Sequence, residues 1–340
     1  MSSLHSNCIG IDLGTANTLV CTKEKGVIIR EMSAVAFDNK NERIIAVGNE
    51  AKKLMGKTAS NITVVRPLRG GVIADFELTL AMLRLFIKKA MKNSVFAKPR
   101  VIVCIPYGVS EVEHRALENA AFEAGAGGVS IIEEPVAAAI GAGLNFKVPV
   151  GNIVVDIGGG TTEVAVVTAG GVAVSNSIRT AGDDLDTAIV EYIRKKFNVI
   201  IGENTAEDIK KEIGSAHPAA DNGMLSVRGR NLLTGLPSVF NLYSEEVRNA
   251  IHEPVMKMVE LVHTTLENTP PELCGDILSN GIMLTGGGAL LPGLAFLIRE
   301  RTHLDVHIAK RPLDCVADGI IKVMSNPGYE NILKNAVRNS

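Results

Sequence analysis

The sequence has no apolar run approaching the ~18 residues that a membrane-spanning helix needs. Residues 1–7 are also too short and too polar for a secretory signal. It has little net charge: 35 Lys and Arg against 37 Asp and Glu give a formal charge of −2. The basic excess of a nucleic-acid binder is therefore missing, and no nucleic-acid partner is expected. The five cysteines (Cys8, Cys21, Cys104, Cys274, Cys315) contain no CxxC pair, and several sit in apolar runs. They read as buried thiols in a reducing cytoplasm. No Ser/His/Asp or Cys/His arrangement stands out, so covalent catalysis has no support. What remains is an ordinary globular composition, 46% apolar over 340 residues, too long for one core and suited to two domains or more.

The most informative stretch is IVVDIGGGTTEVAVV, Ile153 to Val167. An apolar strand leads through Asp156 into Gly158-Gly159-Gly160-Thr161, and a second strand begins near Glu163. A turn without Cβ atoms lets backbone N–H groups converge on an anion. A carboxylate just ahead of it is placed to hold Mg²⁺ directly or through water. The alternative is an ordinary Gly-rich hairpin. A second copy of the layout, IGIDLGTANTLVC, carries Asp12 and the turn Gly14-Thr15-Ala16-Asn17. Two copies suggest two related half-molecules, and facing hairpins would clamp a polyphosphate from both sides. A third turn, Gly286-Gly287-Gly288-Ala289, follows the strand Gly281-Ile282-Met283, with Pro292 as the expected opening of a helix.

DLGTANT, IIEEPVAAAIGAG, DIGGGTTE and LTGGGALLPG together resemble the actin-like ATPase superfamily, and within it the MreB/Mbl family of bacterial actins. RPLRGGVIADFELT (66–79) and SVRGRNLLTGLP (226–237) are similar to the same family. The resemblance runs from about residue 7 to about residue 325. It implies an α/β actin-like (ribonuclease H-like) duplicated fold with a nucleotide in a central cleft. One half would span about 1–148, with a small subdomain at about 31–74 and residues 314–340 packing back on it. The other would span about 149–313, with a small subdomain at about 182–247.

Further along the chain, residues 26–74 read as short strand pieces, and Phe76 to Lys92 as an amphipathic helix. No acid occurs between Glu77 and Glu111, while Arg84, Lys88, Lys89, Lys92, Lys98 and Arg100 all fall there. Val95 and Phe96 sit in the loop after the helix. An apolar tip flanked by cations suits an anionic bilayer surface, at roughly 1 kcal/mol per basic residue, and the resemblance implies a membrane contact here. The alternative is that Phe96 packs beneath its own loop. Ser110 and Glu113 form a capping box opening a helix to Gly125. Glu134 precedes Pro135 at the start of a small-residue helix, where a carboxylate is favourable on dipole grounds alone. The resemblance implies more, a role in orienting the water that attacks the γ-phosphate. Glu133 reads as a solvated neighbour. Thr205 with Asp208 reads as another capping box. In the family, the segment Ala206-Glu207-Asp208-Ile209-Lys210 packs against adenosine, with Glu207 toward the ribose and Lys210 beside the base. Glu245 to Glu267 is a long helix with a stripe of Val247, Ile251, Val255, Met258, Val259 and Val262. Cys315 to Met324 closes the chain, Gly319 allowing close packing, and the tail after Pro327 is weakly specified.

The resemblance thus implies a Mg²⁺-dependent ATPase. Asp12 and Asp156 hold the hydrated metal, the turns grip ATP or ADP, and Glu134 positions water. It also implies self-assembly into antiparallel double filaments at the cytoplasmic face of the cell membrane, with the cell-wall elongation machinery and its membrane adaptors as partners. Other classes remain open. A chaperone ATPase module would continue into a substrate-binding domain, whereas this chain ends. A non-polymerising ATPase or small-molecule kinase of the superfamily would need an acceptor pocket with its own aspartate.

Overall fold

The computed structural model describes residues 8–91, 98–145, 148–169 and 171–335. The chain divides into two compact units. One is Met1–Val150 with Ala165–Ser175 and Leu313–Ser340; the other is Gly151–Val164 with Asn176–Pro312.

The first unit is built on a six-stranded sheet. Its order is Lys334–Asn335, Gly128–Glu133, Arg100–Ile105, Cys8–Leu13, Asn17–Thr22 and Gly26–Met32. Cys8–Leu13 pairs antiparallel with its hairpin partner Asn17–Thr22 and parallel with Arg100–Ile105. Runs such as Val101–Ile105 are almost continuously apolar because both faces of these strands are covered. Ile11, Val103, Ile131 and Phe86 lie in one buried cluster. Phe86 comes from the helix Phe76–Ala90, capped by the Asp75 side chain, which accepts from the Leu78 amide. The capping box at Ser110 is formed and opens the helix Glu111–Glu123. Arg43–Val47, Val35–Asp38 and Ile62–Val65 make a separate three-stranded sheet. The strand Gly26–Met32 belongs to the large sheet, where it pairs antiparallel with the far edge of the buried hairpin arm Asn17–Thr22.

The second unit repeats the plan. A five-stranded sheet has the order Gly171–Ile178, Thr162–Thr168, Asn152–Ile157, Ile282–Thr285 and Val306–Ile308, of which the last three strands lie wholly within this unit. Asn152–Ile157 runs parallel to Ile282–Thr285, just as Cys8–Leu13 runs parallel to Arg100–Ile105. The long helix Ser244–Glu267 buries all six residues of its expected stripe. Pro254 lies inside it and is itself buried. Val199–Ile200, Met224–Asn231 and Pro237–Tyr243 form a small sheet of their own.

Three local expectations shift. The helix Glu203–Ile213 starts two residues ahead of Thr205, with Gly202 at its N-cap and no side-chain cap, so the Thr205–Asp208 box does not form. Burial of Ala206, Ile209 and Ile213 fixes the helix phase, and it continues to the N-terminal side of Thr205. Pro292 precedes rather than opens its helix, Leu294–Thr302, because Gly293 turns left-handed at the cap. The tail is better specified than its composition indicates. Lys334–Asn335 adds an antiparallel edge to Gly128–Glu133, and Lys334 Nζ pairs with Glu133 at 2.6 Å. Glu133 is therefore an anchor for the tail.

The closing helix Cys315–Ser325 packs on the helix Glu134–Ala142 at very short range. A Cβ on Gly319 would stand 1.9 Å from the Ala137 carbonyl oxygen, and one on Gly141 1.7 Å from that of Cys315. Lys322 Nζ then donates to the carbonyls of Ile140 (2.8 Å) and Gly141 (3.0 Å), where the helix dipole is negative.

Candidate functional site

Each unit carries its own strand–turn–strand site. In the first, Asp12 is half-buried at the end of its strand, opposite Leu19, and Gly14-Thr15-Ala16-Asn17 leads into the return strand. The turn is pinned from two places. Ser33 Oγ donates to the Gly14 carbonyl at 2.6 Å and the Ser33 amide to the Ala16 carbonyl at 3.0 Å. The amide of Gly71 donates to Thr15 Oγ1 at 2.9 Å. Gly71 lies in the RPLRGG stretch, and its part in holding this turn is a long-range contact that the stretch alone does not announce.

In the second unit, Asp156 is buried in the sheet, and Thr285 Oγ1 donates to its Oδ1 at 2.6 Å. Burial pushes the Asp156 carboxyl above its ordinary range, and the Thr285 hydroxyl only partly opposes this. The turn after it is shaped by backbone bonds. The Gly158 amide donates to the Thr161 carbonyl at 2.9 Å. The Gly182 and Asp183 amides, at the start of the helix Gly182–Phe197, donate to the carbonyls of Gly158 (3.2 Å) and Gly159 (2.8 Å). In a trans peptide the C=O and the following N–H point in opposite directions. Tying down those two carbonyls therefore aims the amides of Gly159 and Gly160 away from the helix, as an anion-binding turn requires.

The third turn lies against the second. Gly286 adopts φ +78°, and its Cβ would meet the Ile157 carbonyl oxygen at 2.3 Å. A Cβ on Gly288 would sit 2.1 Å from Ile157 Cγ2. Glycine is thus required there for backbone to pass beside the Asp156 strand. Gly287 is exposed, while Ala289 is buried.

In the expected adenosine segment, Ala206 and Ile209 are wholly buried and Asp208 is exposed. Glu207 is half-buried and pairs with Lys211 at 2.6 Å. Lys210 Nζ donates to the Gly182 carbonyl and to Asp186, each at 2.8 Å. Asp186 does not stand out in the sequence. Its only signal is a helical step of four from Gly182, which places it on the first turn's inner face. Burial raises the Asp186 carboxyl to about 6, against the lowering effect of Lys210. Below about 4 the group is protonated in folded and unfolded chains alike, and above about 6 it is ionised in both. Between those limits the folded chain binds more protons, so its contribution to stability falls as pH rises. Asp186→Asn should accordingly gain stability relative to the parent from pH 4 to 6. The gain should be at most about 3 kcal/mol, less after solvent screening, and flat above that. Urea titrations of both proteins across that range would show it; a constant difference would refute it.

Glu134 is the first residue of its helix and is half-buried, with Pro135 next to it. Val95 and Phe96 lie outside the described residues. Among the described residues no group of three or more His, Cys, Asp or Glu side chains gathers as a metal cluster. A magnesium ion at Asp156 or Asp12 would thus take most of its ligands from phosphate oxygens and water, which is how Mg²⁺ is usually bound beside a nucleotide. Among the described residues no helix is long and apolar enough to cross a membrane.

The structure is most informative beside known proteins. It superposes on MreB5 of Spiroplasma citri bound to ADP with a TM-score of 0.91 at 41% identity, over 97% of this chain and 99% of that one. The AMPPNP-bound crystal structure of the same protein gives a TM-score of 0.89, over 93% and 95%. A MamK double helical filament, 21% identical with a TM-score of 0.81, shares the fold. The fold is actin-like: α/β, in two related halves. In sequence, the chain is 49% identical over 321 residues to the cell shape-determining protein MreB of Escherichia coli (strain K12), covering 93% of this chain and 92% of that protein. It is 46% identical over 318 residues to the cell shape-determining protein Mbl of Bacillus subtilis (strain 168), covering 94% and 96%. The family model for MreB/Mbl protein matches residues 6–331. The chain belongs to the MreB/Mbl family.

Proposed function

We propose that this chain is an ATP-binding and ATP-hydrolysing bacterial actin. It assembles into filaments, as antiparallel pairs, on the cytoplasmic face of the cell membrane and there organises cell-wall elongation and cell shape. The observation that carries the reading is the likeness over nearly the whole chain to a relative crystallised with both ADP and AMPPNP, together with a turn whose Gly159 and Gly160 amides are set for an anion.

In this reading the Gly158–Thr161 turn and the Gly14–Asn17 turn each bind nucleotide phosphates. Residues 206–209 and the Gly286–Ala289 turn flank the adenosine. Asp12 and Asp156 are the residues that would hold Mg²⁺, which would supply charge neutralisation on the phosphate oxygens. Glu134 accepts a hydrogen bond from the attacking water and holds it in line. Positioning of this kind, rather than covalent chemistry, is what phosphoryl transfer demands. Binding that depends on the γ-phosphate biases the chain toward its assembling conformation, so the nucleotide acts as a switch. Val95 and Phe96, flanked by cations in the sequence, supply the lipid contact.

Sedimentation with Mg²⁺–ATP and anionic vesicles tests the proposal. The parent protein should pellet with vesicles and form filaments on them. Glu134→Ala should still assemble while releasing phosphate at least about tenfold more slowly, and Phe96→Ala should assemble but lose the vesicles. A protein that stays monomeric with every nucleotide, lipid and concentration would refute the filament reading.

A further inference from the structure

Lysine side chains near a nucleotide site ordinarily act as point charges on phosphate or as flanks to a base. Lys210 is committed elsewhere. Two of the three donors of its ammonium group go to the Gly182 carbonyl and the Asp186 carboxylate, each at 2.8 Å. Both lie on the first turns of the helix Gly182–Phe197. The lysine and the carboxylate are well shielded, their side chains only 16% and 12% exposed, so the pair is little screened by solvent. Lys210 itself is carried on a helix anchored by the buried Ala206, Ile209 and Ile213.

Beyond Gly182 the chain of contacts continues. The amides of Gly182 and Asp183 hold the Gly158 and Gly159 carbonyls, and this fixes the direction of the Gly159 and Gly160 amides. The space is closed as well: a Cβ on Gly182 would lie 3.3 Å from the Gly158 oxygen and 3.5 Å from Lys210 Nζ. Resting on the reading of Gly158–Thr161 as a phosphate turn, we propose that Lys210 is a positioning residue. With Asp186 it clamps the helix start against that turn and so sets the turn's amides for the phosphates of a nucleoside di- or triphosphate, without itself touching the nucleotide.

A direct contact and a clamp predict different patterns. Binding of Mg²⁺–ADP and of adenosine to the full chain would be measured by calorimetry for the parent, Lys210→Met, Lys210→Arg, Asp186→Asn and the Lys210→Met/Asp186→Asn double variant. If the clamp operates, Lys210→Met and Asp186→Asn each weaken Mg²⁺–ADP by about tenfold, the size of one charge-assisted hydrogen bond. Adenosine affinity stays within twofold, the double variant is no weaker than the worse single one, and Lys210→Arg recovers part of the loss. The proposal is overturned if Lys210→Met weakens adenosine as much as ADP, or if Asp186→Asn leaves ADP binding intact. A parent protein that binds no Mg²⁺–ADP would overturn the phosphate-turn reading itself, a separate result. Unfolding midpoints for each variant identify any that fail to fold, and Lys210→Arg and Asp186→Asn, the mildest changes, then decide the question.

Discussion

Gly141→Ala is expected to destabilise the protein by about 3 kcal/mol, whereas Gly275→Ala is expected to stabilise it by about 0.5–1 kcal/mol. Both glycines are helical and neither has a positive φ. Intrinsic propensity therefore favours alanine at both, by reducing the freedom of the unfolded chain. Surroundings decide the sign. At Gly275 a Cβ meets nothing within 4 Å, and the propensity gain is realised. At Gly141 it would lie 1.7 Å from the Cys315 carbonyl oxygen, a backbone atom with no rotamer to adopt. The helices Glu134–Ala142 and Cys315–Ser325 must then separate. That opens contacts along both and draws Lys322 off the Ile140 and Gly141 carbonyls. Urea unfolding midpoints of the two variants should move in opposite directions. A Gly141→Ala midpoint at or above the parent's would show that the interface yields without cost.

Asp156→Asn should separate stability from function in a single substitution. Asparagine keeps the volume and still accepts from Thr285, so the buried hydrogen bond survives. What it removes is a charge that burial already disfavours. Because the folded carboxyl is raised, the folded chain holds its proton to higher pH than the unfolded chain does. Stability is therefore lost as pH rises upward from the ordinary carboxylate range, and the variant should be at least as stable as the parent at neutral pH. In the proposed mechanism the same charge holds the nucleotide's metal. Phosphate release should accordingly fall on the order of a hundredfold, about 2.7 kcal/mol of barrier, with assembly in Mg²⁺–ATP lost. Thermal unfolding beside a phosphate-release assay reads both. A variant that hydrolyses ATP normally would remove Asp156 from the mechanism.

The parts legible in the sequence are those whose cause is local. An aspartate ending an apolar strand, glycines that free the next turn, and the six-residue stripe from Val247 to Val262 all follow from spacing along one segment. The capping box at Ser110 is legible for the same reason. What escaped depends on partners far along the chain. Asp186 gains its importance only from Lys210 on another helix, Thr285 from lying beside Asp156 in a parallel pair, and Ser33 and Gly71 from reaching back to the first turn. Lys334–Asn335 has no strand signal of its own and is specified by Glu133, Ser130 and Arg100, which receive it. The Thr205 box shows the converse case, a good local signal overruled by the burial phase of the helix around it.

The first unit is discontinuous, and its last pieces come from the far end of the chain. On a ribosome adding about 5–20 residues per second, the helix Cys315–Ser325 and the strand Lys334–Asn335 emerge roughly ten to forty seconds after Val150. Throughout that interval the helix Glu134–Ala142, made almost wholly of small and apolar residues, has its partner face bare, as has the hairpin that holds Cys21 against Ala317. Residues 151–312 can meanwhile emerge as a nearly unbroken segment. Newly made chains should therefore be most vulnerable to proteases and to mispairing in their oldest half, and protection of that half should come abruptly, with the final few dozen residues.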